Sequence, residues 1–336
     1  MKNLVRNLLI VAAGAVLFAA CGGSGGDDGG GGLTGPAPTS EAATITVENA
    51  PAIAGAVAEV VMGQGIFSSI ITPDIPIASS GADAAIAPHM KPVLSAAMKT
   101  AAPSQLYATS AGQANCAISG TVDVQLDIFD PTQPTINDTY VFEFSDCDDG
   151  AGVVLNGGMT ITITTLDGDV ASGNFLLGLQ IGFSAFAVTE GGDTVEADGT
   201  IDITIDTSKP PVTRIAVSSR TLVTTSEGSE DVLTSFSVEI TEDASTFPAA
   251  VTVETSFTIS SPRIGGEVTV TTSLALQSMG DDYPFEGELR IEGAGNAVII
   301  MVALDADTVR LQIDIDGDGA TDETVDVTWD ELLAAA

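Results

Sequence analysis

The sequence predicts an all-β protein built as one large antiparallel meander, and three observations carry that prediction. From about Asn115 onward, apolar residues recur at every second position, as in Val122, Val124, Leu126 and Ile128. Such alternation marks strands with one buried and one wet face. The runs are joined by short turn-forming segments: Asp167-Gly168-Asp169, Glu190-Gly191-Gly192-Asp193, Glu227-Gly228-Ser229 and Gly293-Ala294-Gly295-Asn296. These suit hairpins rather than long crossovers. The runs number about a dozen, enough for a sheet that closes as a barrel, curls as a half-barrel or folds into a sandwich.

Before the strands, residues 47–104 are Ala-rich and helical in pattern. Ile53, Ala56, Val57, Val60 and Val61 share helical spacing, with Pro51 suited to a first turn and Gly63 to a stop. Met90, Val93, Leu94, Ala97 and Met98 repeat the pattern, again with a proline, Pro92, near the start. Each predicted helix has one apolar face, so the pair is expected to cover the β domain of residues 105–336. The strand runs then follow in order. Tyr140, Phe142 and Phe144 alternate with Val141, Glu143 and Ser145; Ile161 and Ile163 are flanked by threonines; Ile201, Ile203 and Ile205 interleave with Asp202, Thr204 and Asp206. Later runs are Phe236-Val238-Ile240, Val251 to Ile259, Val268 to Leu276, and Val309 to Ile315. A glycine precedes several of them, as in Gly120-Thr121-Val122, Gly199-Thr200-Ile201, Gly266-Glu267-Val268 and Gly287-Glu288-Leu289, and is expected to open the strand. Val325, Val327 and Trp329 share a face, so Trp329 is expected to pack the last strand before Asp330-Glu331-Leu332-Leu333 ends the fold.

The chain begins with Lys2 and Arg6, an apolar stretch from Leu8 to Phe18, two alanines, and then Cys21 followed by glycines. Basic start, short apolar core, small residues and one cysteine make an export signal with a lipid attachment site. The segment Leu17-Phe18-Ala19-Ala20-Cys21 resembles a bacterial lipoprotein lipobox. The resemblance implies a signal peptide over residues 1–20, with diacylglycerol and an N-acyl chain (palmitate) on Cys21. With Gly22 rather than Asp after the cysteine, it also implies delivery to the cell outer membrane, facing periplasm or cell surface. The apolar core is far shorter than the roughly 20 residues that span a bilayer. Residues 21–46, rich in Gly, Ser, Thr and Pro, read as a flexible tether.

Charge narrows the partners. The formal net charge is −36, and with Lys2 and Arg6 removed eight basic side chains face 46 acidic ones. Nucleic acid and anionic lipid surfaces are repelled, which leaves neutral, cationic or metallic partners besides the membrane held through the anchor. A hydrophobic fraction of 44% is ample for a core. One tryptophan and three tyrosines are too few for the aromatic girdles of a membrane-spanning barrel. With Cys21 lipidated, Cys116 and Cys147 remain as an even pair in an exported chain; they form either a structural disulfide or two separate buried thiols.

The sharpest chemical motif is Asp314-Ile315-Asp316-Gly317-Asp318-Gly319-Ala320-Thr321-Asp322-Glu323. Carboxylates at alternate positions around a glycine bend offer a hard cation the oxygens it needs. The segment resembles the first half of an EF-hand-type or dockerin-like calcium loop. Asp314, Asp316 and Asp318 match the first three ligand positions and Gly319 the bend, which implies calcium. The twelfth position holds Val325 where that family has glutamate, so Asp322 or Glu323 would substitute. The alternative is an acidic hairpin turn without an ion. Asp146, Asp148, Asp149 and Gly150 form a weaker acidic turn.

Catalytic patterns are thin. Gly22-Gly23-Ser24-Gly25-Gly26 matches a nucleophile elbow only in letters, since no strand precedes it. His89, the only histidine, has no identifiable partner and reads as a helix-capping residue. Paired carboxylates could serve a hydrolase, but Trp329 near the chain end is a poor sugar platform. The expected function is a non-enzymatic envelope structural or interaction module stabilised by calcium and a disulfide. The alternative is a carrier of an apolar ligand, with Met62, Met90 and Met98 lining its site, and an acid-residue hydrolase is a third. Oligomeric state is left open.

Overall fold

The computed structural model describes residues 41–62, 110–116, 118–130, 135–148, 153–169, 173–190, 193–226, 229–280 and 283–335. The predicted second helix, with Met90 and Met98, and the tether up to residue 40, with Cys21, lie outside them, as does His89.

Among the described residues, fourteen strands follow one another in chain order, each antiparallel to the next. They are β1 (Ser110–Asn115), β2 (Ser119–Asp127), β3 (Thr139–Asp148), β4 (Val153–Asp169), β5 (Asn174–Glu190), β6 (Asp193–Lys209) and β7 (Val212–Ser226). Then come β8 (Ser229–Asp243), β9 (Ala250–Ser261), β10 (Gly266–Met279), β11 (Glu286–Glu292), β12 (Val298–Ala303), β13 (Thr308–Asp314) and β14 (Glu323–Thr328). The all-β meander is therefore as the alternation predicts. Closure is not: among the described residues β1 pairs only with β2 and β14 only with β13, so the sheet is open and the barrel is set aside. β14 explains one edge. Its start carries the exposed Glu323, a charge that discourages further strand pairing, while Asp326 is held in an ion pair by Arg310 of β13.

One face of this sheet forms a single apolar cluster running from Ala43 to Leu332. In β5, Phe175, Leu177, Leu179, Ile181 and Phe183 point into it; the series then skips one residue and resumes at Phe186 and Val188. The skip is a bulge at Ser184–Ala185, with Ala185 at φ 44. Similar extra residues fall on β3 near Asp146, on β7 near Thr221, on β8 at Ser235 and on β10 before Leu276. In β3–β8 the bulges stand side by side across the sheet, so strands of up to 17 residues, roughly 50 Å long, bend along one transverse line.

Glycines stand opposite these bulges. A Cβ on Gly157 would lie 1.9 Å from the Ala185 carbonyl oxygen, and one on Gly120 equally close to that of Asp146. Gly199 faces Thr221 in the same way, and Gly287 faces Leu276. Gly199 thus sits in mid-strand rather than at a strand opening, correcting the reading from sequence. The signal was a glycine before an alternating run; the alternation runs on through Gly199 in the same phase, from buried Ala197 to buried Ile201.

Helix α1 (Ala50–Met62) also differs from its expected one-faced form. Ile53 to Ala58, Val60 and Val61 are all buried, and the rest of the helix is at least half-buried. A helix apolar all round belongs inside. It packs against β12, β13, the 3-10 turn Pro262–Ile264 and the short helix α2 (Trp329–Leu333). Small residues, Ala54, Gly55, Ala56 and Ala58, let neighbours approach it closely. The ordered body begins before residue 47: Ala43 and Ile45 are buried and Ala42 bridges Glu267 of β10. Trp329 is buried as expected, at the start of α2. Its indole N–H donates to the Pro284 carbonyl at 3.3 Å and its ring stacks on Tyr283. A reciprocal capping box between Thr328 and Glu331 starts that helix.

Candidate functional site

The acidic loop joins β13 to β14. β13 ends at Asp314 because the next residues turn through Gly317 (φ 72) and Gly319 (φ 87), conformations that favour glycine. The turn folds the chain onto the β11–β12 connection: a Cβ on Gly317 would come within 2.8 Å of the Asn296 Cβ. Of the five carboxylates singled out from sequence, Asp314, Asp316 and Asp322 converge, with one oxygen from each within 4.8 Å of the others. The other two do not join them. Asp318 turns back to accept the Ala320 N–H at 2.7 Å, and Glu323 enters β14 opposite Ile313.

Backbone amides already serve the converging carboxylates. Asp314 Oδ1 accepts from Gly317 N–H at 2.8 Å and its Oδ2 from Gly319 N–H at 2.9 Å. Asp322 Oδ2 accepts from Ile315 N–H at 2.8 Å, and Asp316 Oδ1 from Asp318 N–H at 3.2 Å. Charge-assisted bonds of this kind offset mutual repulsion among the carboxylates. An all-oxygen donor set of this type fits a hard cation such as calcium.

Cys116 and Cys147 are joined in a disulfide, their Cα atoms 5.4 Å apart across 31 residues of sequence. It fastens the β1–β2 turn to β3 beside the Asp146 bulge. Gly120 and the bond between Ile118 N–H and the Asp148 carbonyl lie at the same corner. Asp146 here bonds Asn156, with which it exchanges two hydrogen bonds. Asp149 and Gly150 lie outside the described residues.

A second charged group escaped the reading from sequence. The guanidinium of Arg263, in the 3-10 turn after β9, donates to Asp231 of β8 at 2.7 Å and to Glu59 of α1 at 3.3 Å. The three side chains are only 23%, 6% and 13% exposed. Burial pushes the Glu59 carboxyl above its ordinary range, with Arg263 offsetting part of the rise. Burial works to lower the Arg263 pKa, but the two carboxylates outweigh it and hold it above its ordinary value. A signal existed: Glu59 is the one charged residue in a helix otherwise made of small and apolar side chains.

A scan of family models and searches of curated proteins and solved structures return no match for this chain. Among the described residues no helix is long and apolar enough to cross a membrane. Of the methionines expected to line an apolar site, Met62 packs half-buried on the core, while Met90 and Met98 fall outside the described residues.

Proposed function

We propose that this chain is a lipid-anchored envelope protein, tethered at Cys21 to the outer membrane, whose sheet serves a structural or interaction role without catalysis. The observation that carries the reading is the Cys116–Cys147 bond. A disulfide in a body with so much apolar core points to an oxidising compartment, in keeping with the export signal. The chain-entropy model gives such a bond roughly 3–4 kcal/mol. The helix lying within the apolar cluster supports a fold whose interior is filled by its own side chains. Calcium at Asp314, Asp316 and Asp322 would add a lock between β13 and β14, neutralising charge at the exposed end of that hairpin.

Metabolic labelling with a palmitate analogue tests the anchor. The full chain should incorporate label and sediment with outer membranes, and Cys21→Ser should do neither. An unlabelled wild-type chain, or one recovered in the cytosol, overturns the reading. Calcium is tested by titration of the metal alone: saturable binding that raises the melting temperature is expected, and EDTA should reverse it. No difference with EDTA removes the ion while leaving the anchor intact.

A further inference from the structure

The buried face of the sheet is interrupted by a polar row beside the Arg263 turn. Thr224 of β7 and Asp231 of β8 are direct cross-strand partners, and Ser261 stands one step beyond the Val232–Ser260 pair of β8 and β9. All three are buried, at 2%, 4% and 1% exposure. Two of the functional atoms in this row are accounted for. Asp231 Oδ2 accepts from Arg263 Nη2, and Ser261 Oγ accepts the Arg263 backbone N–H at 3.1 Å. Two others are not: Thr224 Oγ1 and Asp231 Oδ1 are closed off from solvent with no hydrogen-bond partner among the described residues.

A buried hydroxyl and a buried carboxylate oxygen left bare are each strongly disfavoured, the charged one more so. Side chains of directly opposed strand residues point to one face with Cβ atoms about 5 Å apart. One small molecule can therefore reach both atoms. Its chemistry is constrained. Two carboxylates, Glu59 and Asp231, share one guanidinium, so an anion is repelled. A divalent cation would meet one free carboxylate oxygen and one hydroxyl, far short of its coordination shell, with the Arg263 charge alongside. Water fits: it accepts from the Thr224 hydroxyl and donates to Asp231 Oδ1, the minimum for an internal water.

We infer that one internal water is a fixed component of this fold, bridging Thr224 Oγ1 and Asp231 Oδ1 beside the Arg263 guanidinium. It completes the solvation of Asp231, whose other oxygen holds Arg263 aimed at Glu59. Helix α1 is thereby held to the β7–β9 rim through a polar chain whose last link is solvent.

The test is the direction of change in Thr224→Val, an isosteric loss of the hydroxyl, in the full chain. If water bridges the pair, the substitution strips a partner from Asp231, and the unfolded-to-folded ratio at a fixed urea concentration should rise roughly fivefold or more. If Thr224 is a true orphan, the apolar side chain relieves it, and an unchanged or lowered ratio overturns the inference. A crystal structure of the unsubstituted chain gives an independent reading. Density for one water within about 2.6–3.2 Å of both atoms is expected; a dry site, or side chains turned to other partners, overturns it.

Discussion

The two charged clusters, Glu59–Asp231–Arg263 and the Asp314–Asp322 loop, solve opposite problems. In the first, two carboxylates and a guanidinium are mostly withdrawn from water and must satisfy one another. In the second, three carboxylates crowd together at the surface, where solvent and backbone N–H groups carry the charge. The acid count is higher in the loop, yet the energetic stake is higher in the cluster, because Coulomb and desolvation terms grow as water is excluded. Acid density in a sequence therefore says little about where charge matters.

The strongest way to break this comparison is Arg263→Met. It removes the only cation of the cluster and leaves Asp231 and Glu59 without compensation. A loss of about 3–5 kcal/mol is expected, read from urea unfolding at neutral pH. A loss below about 1 kcal/mol would mean that water reaches the site freely, and the contrast with the loop would collapse.

The same contrast can be drawn between two glycines. Gly157 in β4 has φ 83 and Gly319 in the acidic loop has φ 87. Alanine at either position meets the same backbone strain. At Gly157 the new Cβ also runs into the Ala185 carbonyl, whereas nothing lies within 4 Å at Gly319. Gly157→Ala should cost about 2–4 kcal/mol, strain plus clash, and Gly319→Ala only about 1–2 kcal/mol. Equal losses in paired denaturation curves would show that the β5 bulge yields to the added methyl.

How much of this was legible follows from what each residue needs to know about distant chain. The strands were readable because alternation is local: Ile201, Ile203 and Ile205 declare a buried face without reference to any partner. The bulges were not, since Gly157 and Gly199 only acquire meaning opposite Ala185 and Thr221 on neighbouring strands. Helix α1 was placed almost to the residue, but its all-round burial depends on what surrounds it, which spacing cannot state. The Asp314–Glu323 loop was found as a motif, and the sorting of its carboxylates required the turn geometry that sends Asp318 to Ala320. The Arg263 cluster joins residues from three separate parts of the chain; only the lone Glu59 hinted at it.

Acidity offers a smaller test of the buried side. Burial, the leading cause, lifts the Glu59 carboxyl above its ordinary 4.5. The folded chain then holds that proton more tightly than the unfolded chain does. The resulting stabilisation is complete below pH 4.5 and is lost as pH rises through the elevated value. Glu59→Gln has no such slope. Urea midpoints measured from acid to neutral pH should therefore move in favour of the variant relative to wild type. Movement toward wild type would mean that attraction to Arg263, rather than burial, governs this carboxyl.

The smallest effect belongs to Asp318→Ala, and it sharpens the reading of the loop. The Asp318 side chain accepts one amide, that of Ala320, and is exposed. Its removal leaves an N–H that water can serve, so calcium-free stability should change by no more than about 0.5 kcal/mol. Asp316 is the informative partner, because its carboxylate belongs to the converging group and that of Asp318 does not. In a calcium titration, Asp316→Ala should weaken binding while Asp318→Ala leaves it close to wild type. If both substitutions weaken binding equally, the loop rearranges around the ion and all three alternate aspartates reach it, as the spacing alone would imply. If neither does, the loop is held by its own amides, and its acidity has no bound counterpart.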